Sequence, residues 1–359
     1  MSTESGNIGA RKAQHLEICV REGDFVVETG STLFERIRFA HRALPELSLD
    51  EIDTRVSFLG HTISMPFLIS SMTGGSAGGY SANKELADAA QRAGVPVGMG
   101  SIRILFRKPE VVEHFRLKRY APDVPVLANV GGVQVRELEH AELFRWIREL
   151  EVDGLAVHLN PGQELAQPDG DRDFRGVLDA IRRLCDRSPV PVVVKETGFG
   201  IGPEEARLLA DAGVAYVNVA GSGGTNWIQV ERYRLSDAPE EVAAEFEEWG
   251  MPTALLLASC RDCGIPIIAS GGLRSGMELA KSLALGAQLG AMALPMIRAV
   301  QSGGSDAVVA RIEHFRHVLQ NVMLLTGCRS VEELADGRIY FDSIFEELQR
   351  QFRATQRPR

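Results

Sequence analysis

The chain has 359 residues, 45% of them hydrophobic and 24% charged, a balance ordinary for a soluble globular protein with a large buried core. Its formal net charge of -9 argues against nucleic acid or an acidic membrane surface as the main partner, since both demand a basic face. The five cysteines, Cys19, Cys185, Cys260, Cys263 and Cys328, sit in apolar or helical contexts with no secretory signal upstream, which reads as structural thiols in a reducing cytoplasm. Cys260 and Cys263 have redox spacing but lack the flanking βαβ context of a thioredoxin site. No apolar run approaches the roughly 20 residues of a membrane-spanning helix.

Residues 1–10 are small and polar and read as disordered. A helical pattern starts at Arg11-Lys12-Ala13-Gln14-His15-Leu16, with two adjacent cations and a histidine. Residues 24–64 are irregular, with short strand candidates at Val56 to Leu59 and His61 to Met65 that suit a cap on the bottom of a barrel. From Pro66 onward, short apolar runs alternate with helical stretches, the signature of repeated βα units. The eight runs are Phe67 to Ser70, Pro96 to Gly100, Val124 to Asn129, Leu155 to Asn160, Val190 to Glu196, Tyr216 to Ala220, Pro266 to Ser270 and Leu289 to Ala293. The helical stretches are Ala82 to Ala93, Glu110 to Arg116, Arg136 to Leu150, Phe174 to Arg187, Pro203 to Ala212, Thr253 to Cys263 and Ser275 to Leu285. Eight such units close into a (β/α)8 barrel. One domain is therefore expected, with an N-terminal extension over 1–64, the barrel over 65–300 and C-terminal helices over 301–359. The longest break in the rhythm, Gly221 to Gly250, holds Trp227, Tyr233 and an acidic run, and loops this long are more often functional than idle. Asp306 to Thr326 reads as an amphipathic helix and Val331 to Phe352 as two shorter ones.

A barrel places its chemistry at the C-terminal ends of its strands. The fourth run stops abruptly at His158-Leu159-Asn160-Pro161-Gly162-Gln163-Glu164. Imidazole, carboxamides and a carboxylate can hold a hydrated hard cation and the oxygens of an anion, while none is a nucleophile. The first run hands over to Ser71-Met72-Thr73-Gly74-Gly75, whose small residues let backbone amides approach a flat or anionic ligand. The second ends at Ser101 and Arg103, the third at Asn129, and the fifth delivers Lys195 beside Glu196 where an apolar run stops. Glu196 either neutralises the lysine or, by strand alternation, points behind the sheet; the structural role is favoured. A glycine chain from Gly221 to Thr225 follows the sixth run. Ser270-Gly271-Gly272-Leu273-Arg274 and Met292-Ala293-Leu294-Pro295 then stand where barrels commonly bind a phosphate. With Lys195 facing the electron-rich edge of a ring, the set is similar to a flavin mononucleotide (FMN) pocket.

Seven motifs in order carry a closer resemblance: Arg-Lys-x-x-His, Ser-Met-Thr-Gly-Gly, Gly-Ser-x-Arg, His-Leu-Asn-x-x-Gln-Glu, Val-Lys-Glu-x-Gly, Ala-Gly-x-Gly-Gly-Thr and Ala-Ser-Gly-Gly-x-Arg. The chain resembles the FMN-dependent type 2 isopentenyl-diphosphate isomerases from about Arg11 to the helix after the eighth strand. That resemblance implies FMN contacts from Met72, Thr73, Gly74, Ser101, Asn129, Lys195, Thr225, Gly272, Leu273, Arg274, Ala293 and Leu294. It implies a substrate site of Arg11, Lys12, His15, Ser101, Arg103, His158, Asn160 and Gln163, with Glu164 reaching Mg²⁺. His158, Gln163 and Lys195 would be nearest the reaction. The chain departs from the family pattern at Ala13, Gln14, Gly162 and Ile102, none of which is assigned a role.

The implied activity interconverts isopentenyl and dimethylallyl diphosphate in isoprenoid biosynthesis. Reduced FMN would serve as acid and base, NADPH as the reductant that primes it, and the protein would be a cytoplasmic homotetramer or homo-octamer. Two rivals are an FMN barrel oxidoreductase of the 2-hydroxyacid oxidase kind and a non-catalytic flavin or prenyl-phosphate binding protein. The first needs a histidine base at a late strand end, and no histidine lies between His158 and His314. The second gives no reason for Glu164 to occur together with Arg11, Lys12 and His15.

Overall fold

The computed structural model describes residues 11, 14–21, 23–72, 77–234, 240–335 and 338–356. The sequence expectations placed on residues 1–10, Lys12, Thr73 and Gly74 lie outside the described residues. Eight strands form a closed barrel: β1 (Phe67–Ile69), β2 (Val97–Gly98), β3 (Val126–Gly131), β4 (Gly154–His158), β5 (Val192–Lys195), β6 (Tyr216–Asn218), β7 (Ile267–Ala269) and β8 (Leu289–Met292). Every neighbouring pair is parallel, including β8 with β1 at the closure. These strands are short and β-branched, and they are buried on both faces, as a parallel sheet wrapped in helices requires.

Strand alternation divides the core in two. One face of each strand packs outward on the helices, in a large cluster with Val97, Val126, Leu155, Val194, Val217 and Ile267. The other face fills the lumen with Leu68, Leu127, Val193, Ile268, Leu289 and Ala291. The lower end is plugged by the expected hairpin, Val56–Phe58 paired antiparallel with His61–Ile63, whose Phe58 and Ile63 join the lumen cluster. Two residues further along the lumen-facing register stand Asn129, Lys195 and Asn218, and the ladder sets His158 beside Lys195 and Lys195 beside Asn218. Period-2 geometry thus turns these polar residues toward the mouth and sends Glu196 the other way.

The structure corrects four expectations. Arg136 to Leu150 is not one helix. Gly132–Glu137 and His140–Glu149 are separate, with extended Leu138 and Glu139 between them and the His140 ring 3.2 Å from the Val135 carbonyl. Glu110 to Arg116 is 3-10 rather than α, over Pro109–Phe115, in keeping with the stiffness of its adjacent valines. The segment Leu294–Thr326, which begins directly after β8, is two helices meeting where Gly303 and Gly304 leave helical geometry; the second agrees with the helix expected over Asp306 to Thr326, but the first runs across the boundary expected at 300. Finally, a strand at Ile339–Phe341 separates the two C-terminal helices and pairs antiparallel with Ile37–Phe39. A pairing of three-residue strands so far apart in the chain leaves no periodicity to read.

Candidate active site

Two adjoining cavities fill the mouth of the barrel and share Ser71, Met72, Lys195, Thr197 and Trp227. The first is lined by Arg11, His15, Ser101, Arg103, Asn129, His158, Asn160, Gln163 and Glu164 as well. The second adds Thr225, Gly272, Leu273, Arg274, Ala293 and Leu294. Every described residue to which the sequence assigned a role therefore faces one connected space.

The second cavity is built mostly from backbone. Gly271 and Gly272 both have positive φ, +94° and +76°, which side chains rarely adopt. A Cβ on Gly271 would land on the Gly221 carbonyl and one on Gly224 on the Gly272 amide, so the loops after β6 and β7 touch backbone to backbone. Buried Thr253 clasps both, its hydroxyl donating to the Gly271 carbonyl at 2.6 Å and lying 3.2 Å from that of Ser270 and 3.3 Å from that of Ser222. The two nearby helix starts differ. At Gly276–Ala284, the capping box of Ser275 and Glu278 already occupies the amides of Arg274, Ser275 and Glu278. At Leu294, the N-cap residue Ala293 offers no side-chain cap, Pro295 has no N–H, and the Met296 amide is bonded to the Ala293 carbonyl at 3.1 Å, so the Leu294 amide is the one in this first turn left to face an anion. The glycine cradle, this helix start and the half-buried Lys195 together fit the phosphate and ring of FMN.

Lys195 donates to the Glu196 carbonyl at 2.7 Å. Burial lowers its pKa from 10.5 to about 8, with Glu196 opposing the shift. The Glu196 carboxylate turns from the cavity to accept from the amides of Gly198 at 2.6 Å, Phe199 at 2.5 Å and Gly200 at 3.1 Å. Burial raises its pKa and these amides pull it back. Its position is that of a loop organiser, the reading the sequence favoured. Phe199 also accounts for Gly162, because a Cβ there would come within 2.7 Å of the Phe199 ring.

The first cavity is built from side chains. His158 Nδ1 lies 2.9 Å from Asn129 Oδ1. Asn160 Nδ2 donates to Gln163 Oε1 at 3.1 Å and to Glu164 Oε1 at 2.9 Å, while the Asp171 amide donates to Glu164 Oε2 at 2.9 Å. Glu164 is thereby aimed at the cavity with acceptor capacity remaining on both oxygens. Arg11 reaches Gln167 Oε1 at 2.6 Å, and burial lowers its pKa against the pull of Glu231 and Glu164.

The hub of this network is a residue the sequence reading missed. Glu231, with a fully buried side chain, has His15 Nε2 at 2.8 Å, Gln163 Nε2 at 3.2 Å, Gln167 Nε2 at 2.8 Å and Arg234 Nε at 2.6 Å. Burial pushes its pKa up, but His15 and Arg234 hold it down at about 2, so it stays an anion. Trp227 was noted in the long break without a role; it packs edge-on to His15 at 5.3 Å. Both belong to helix Trp227–Arg234, inside that break. The spacing of Trp227, Glu231 and Arg234, four and then three residues, puts them on one helix face; that was the available signal. Among the described residues, no group of three or more His, Cys, Asp or Glu could hold a metal by itself, and no helix is long and apolar enough to cross a membrane.

Comparison with known proteins places this mouth among FMN enzymes. The FMN-dependent dehydrogenase family model matches residues 21–106 and 160–340. Solved structures share the fold at low identity: flavocytochrome b2 with TM-score 0.68 and 18% identity, covering 96% of this chain and 87% of that one, and (S)-mandelate dehydrogenase with TM-score 0.64 and 15% identity, covering 94% and 99%. At such identity the likeness speaks for the barrel and not for the substrate. Sequence relatives are more specific. The isopentenyl-diphosphate delta-isomerase of Borrelia garinii subsp. bavariensis is 41% identical over 338 residues, 94% of each chain. Those of Archaeoglobus fulgidus (40%, 94% of this chain and 97% of the relative) and Nostoc sp. (41%, 93% and 96%) match as fully. The chain belongs to the FMN-dependent isopentenyl-diphosphate delta-isomerases, a branch of that larger flavin family.

Proposed function

We propose that the protein interconverts isopentenyl and dimethylallyl diphosphate in the mouth of the barrel, with FMN on the glycine side and the diphosphate on the side of Glu164 and Glu231. The single observation that carries this division is that the backbone cradle and the cationic, carboxamide-rich network are halves of one space joined at Met72 and Lys195. Gly272, Leu273, Arg274, Ala293 and Leu294 would hold the phosphate of FMN, and Met72, Ser101, Asn129, Lys195 and Thr225 the rest of the cofactor, together with Thr73 and Gly74. Reduced FMN would supply, at a ring nitrogen, the acid and base that the alkene requires, with NADPH as the reductant and no net redox change.

The chain's own residues would do the binding and orienting. Arg11, Lys12 and Arg103 would supply positive charge for the diphosphate, with His15 beside them as a further polar contact. Glu164, fixed by Asn160 and the Asp171 amide, would hold Mg²⁺ together with substrate oxygens and water, since Mg²⁺ commonly takes only one or two protein carboxylates. Lys195, charged below about pH 8, would stabilise negative charge on the flavin edge. His158 and Gln163 are nearest the reacting atoms: Asn129 fixes the His158 ring, and Glu231 with Asn160 fixes the Gln163 carboxamide. A cytoplasmic homotetramer or homo-octamer completes the proposal.

Two measurements test it. Anaerobic, photoreduced enzyme should isomerise isopentenyl diphosphate, while fully oxidised enzyme should not; equal rates overturn the flavin role. Glu164→Gln should lower kcat/KM by about 100- to 1,000-fold, as expected for loss of a charge-bearing metal ligand, with the flavin spectrum kept. A binding protein would have no turnover to lose.

A further inference from the structure

The N-terminal strap crosses from one half of the cavity to the other, and one carboxylate on it bridges two cations. Residues 14–20 are helical and carry His15 into the substrate half. Beyond them the strap docks on the loop after β6: the Asn226 amide donates to the Val27 carbonyl at 2.8 Å, Glu28 bridges antiparallel to Thr225, and the Ala254 amide donates to Thr32 at 3.0 Å. At the centre of the strap, Glu28 Oε1 accepts from Arg274 Nε at 2.6 Å and from Arg274 Nη2, while Glu28 Oε2 accepts from Arg298 Nη1 at 3.1 Å. Arg298, on the helix that opens at the cradle, has its Nε 3.4 Å from the Cys19 carbonyl, near the end of the helical residues 14–20.

We infer that Glu28 is the positioning residue through which the phosphate cradle holds the N-terminal helix over the substrate half, so that binding the flavin phosphate orders the diphosphate clamp. The inference rests on the preceding assignment of the phosphate to Gly272–Arg274 and Ala293–Leu294. Two guanidiniums around one carboxylate carry a net charge of +1, so the assembled cluster attracts a phosphate. Glu28 on the docked strap fixes Nε and Nη2 of Arg274 at the cavity wall, while Nη1 donates to the Leu273 carbonyl at 2.7 Å. A phosphate that prefers the docked strap must stabilise docking by the same factor, because linkage between two equilibria is reciprocal. The Arg298 contact with Cys19 carries that docking to the helix bearing His15. Diphosphate recognition would thus depend on the cofactor through the protein as well as through direct contact.

Hydrogen exchange tests this without turnover. In the wild-type protein, adding FMN to the flavin-free form should slow amide exchange in residues 14–20 by about tenfold, a size typical of intersite coupling. Riboflavin, which lacks the phosphate, should not. Glu28→Gln places an amide donor against Arg298; this variant should still turn yellow with FMN yet transmit little protection. Its KM for isopentenyl diphosphate should rise about tenfold, with kcat at saturating substrate within twofold of wild type. Glu28→Asp, which keeps the charge, should restore part of both effects and guards against a merely misfolded Gln variant. Unchanged exchange in wild type on adding FMN, full protection in Glu28→Gln, or equal protection by riboflavin each overturns the inference. A protein that never becomes yellow with FMN instead overturns the cofactor assignment beneath it, and that outcome is visible before any exchange is measured.

Discussion

The two halves of the cavity are built by opposite means. On the cofactor side, loops after β6 and β7 meet backbone to backbone, and side chains serve chiefly to clasp them, as Thr253 does. On the substrate side, recognition rests on long side chains converging on one buried carboxylate, Glu231. A backbone site is rigid and tolerates no added atom; a side-chain site tolerates changes of shape but not the removal of a charge.

Substitutions can break this contrast from either direction. The largest effect should come from Gly271→Ala, which adds a Cβ against the Gly221 carbonyl at φ +94° and should weaken FMN binding by about 1,000-fold, given the combined cost of left-handed strain and a backbone clash. Fluorescence titration of FMN checks this, and retained affinity would show that the cradle yields. Next, Glu231→Gln leaves Arg234 and His15 facing a neutral carboxamide and should reduce kcat/KM by about 100-fold, with the flavin spectrum preserved; loss of flavin instead would erase the distinction between the halves. A smaller effect sits at the seam. Burial lowers the Lys195 pKa to about 8, and negative charge on the flavin edge would raise it in the loaded enzyme, so activity should fall along an alkaline limb centred at or above about pH 8, to about a tenth of its plateau one unit past the midpoint. Lys195→Arg, which keeps its charge, should lack this alkaline limb even if its overall rate is reduced. The same shift has the reverse sign for stability: between about pH 8 and 10.5 the unfolded chain binds more protons at this residue, so this lysine's contribution to stability rises with pH. The smallest effect is expected outside the cavity. Cys263 donates through sulfur to the Pro203 carbonyl at 3.6 Å, and Cys263→Ser should leave the turnover rate within about twofold.

The contrast also explains what could be read from the sequence. All eight barrel strands were legible because each is an apolar run ended by polar or small residues, and barrel geometry then says where those endings go. Gly272, Lys195 and Glu164 lie within or just after such endings and could be found there. Glu231 could not, since it reaches the site from a helix within the break after β6 and its partners come from two other segments. The split at Leu138 and the ribbon joining Ile37–Phe39 to Ile339–Phe341 escaped for a related reason: neither is set by local periodicity. Arg274 is a mixed case, visible as a cation beside the cradle, whereas its pairing with Glu28 is purely tertiary.

The hairpin that seals the lumen with Phe58 and Ile63 makes the reaction chamber a blind alley. Among the described residues, the open end is the mouth whose lining includes His15, so substrate and product would both pass there. Each catalytic cycle would then include an exit past the helix bearing His15, which adds a departure step to the proton movement at saturation.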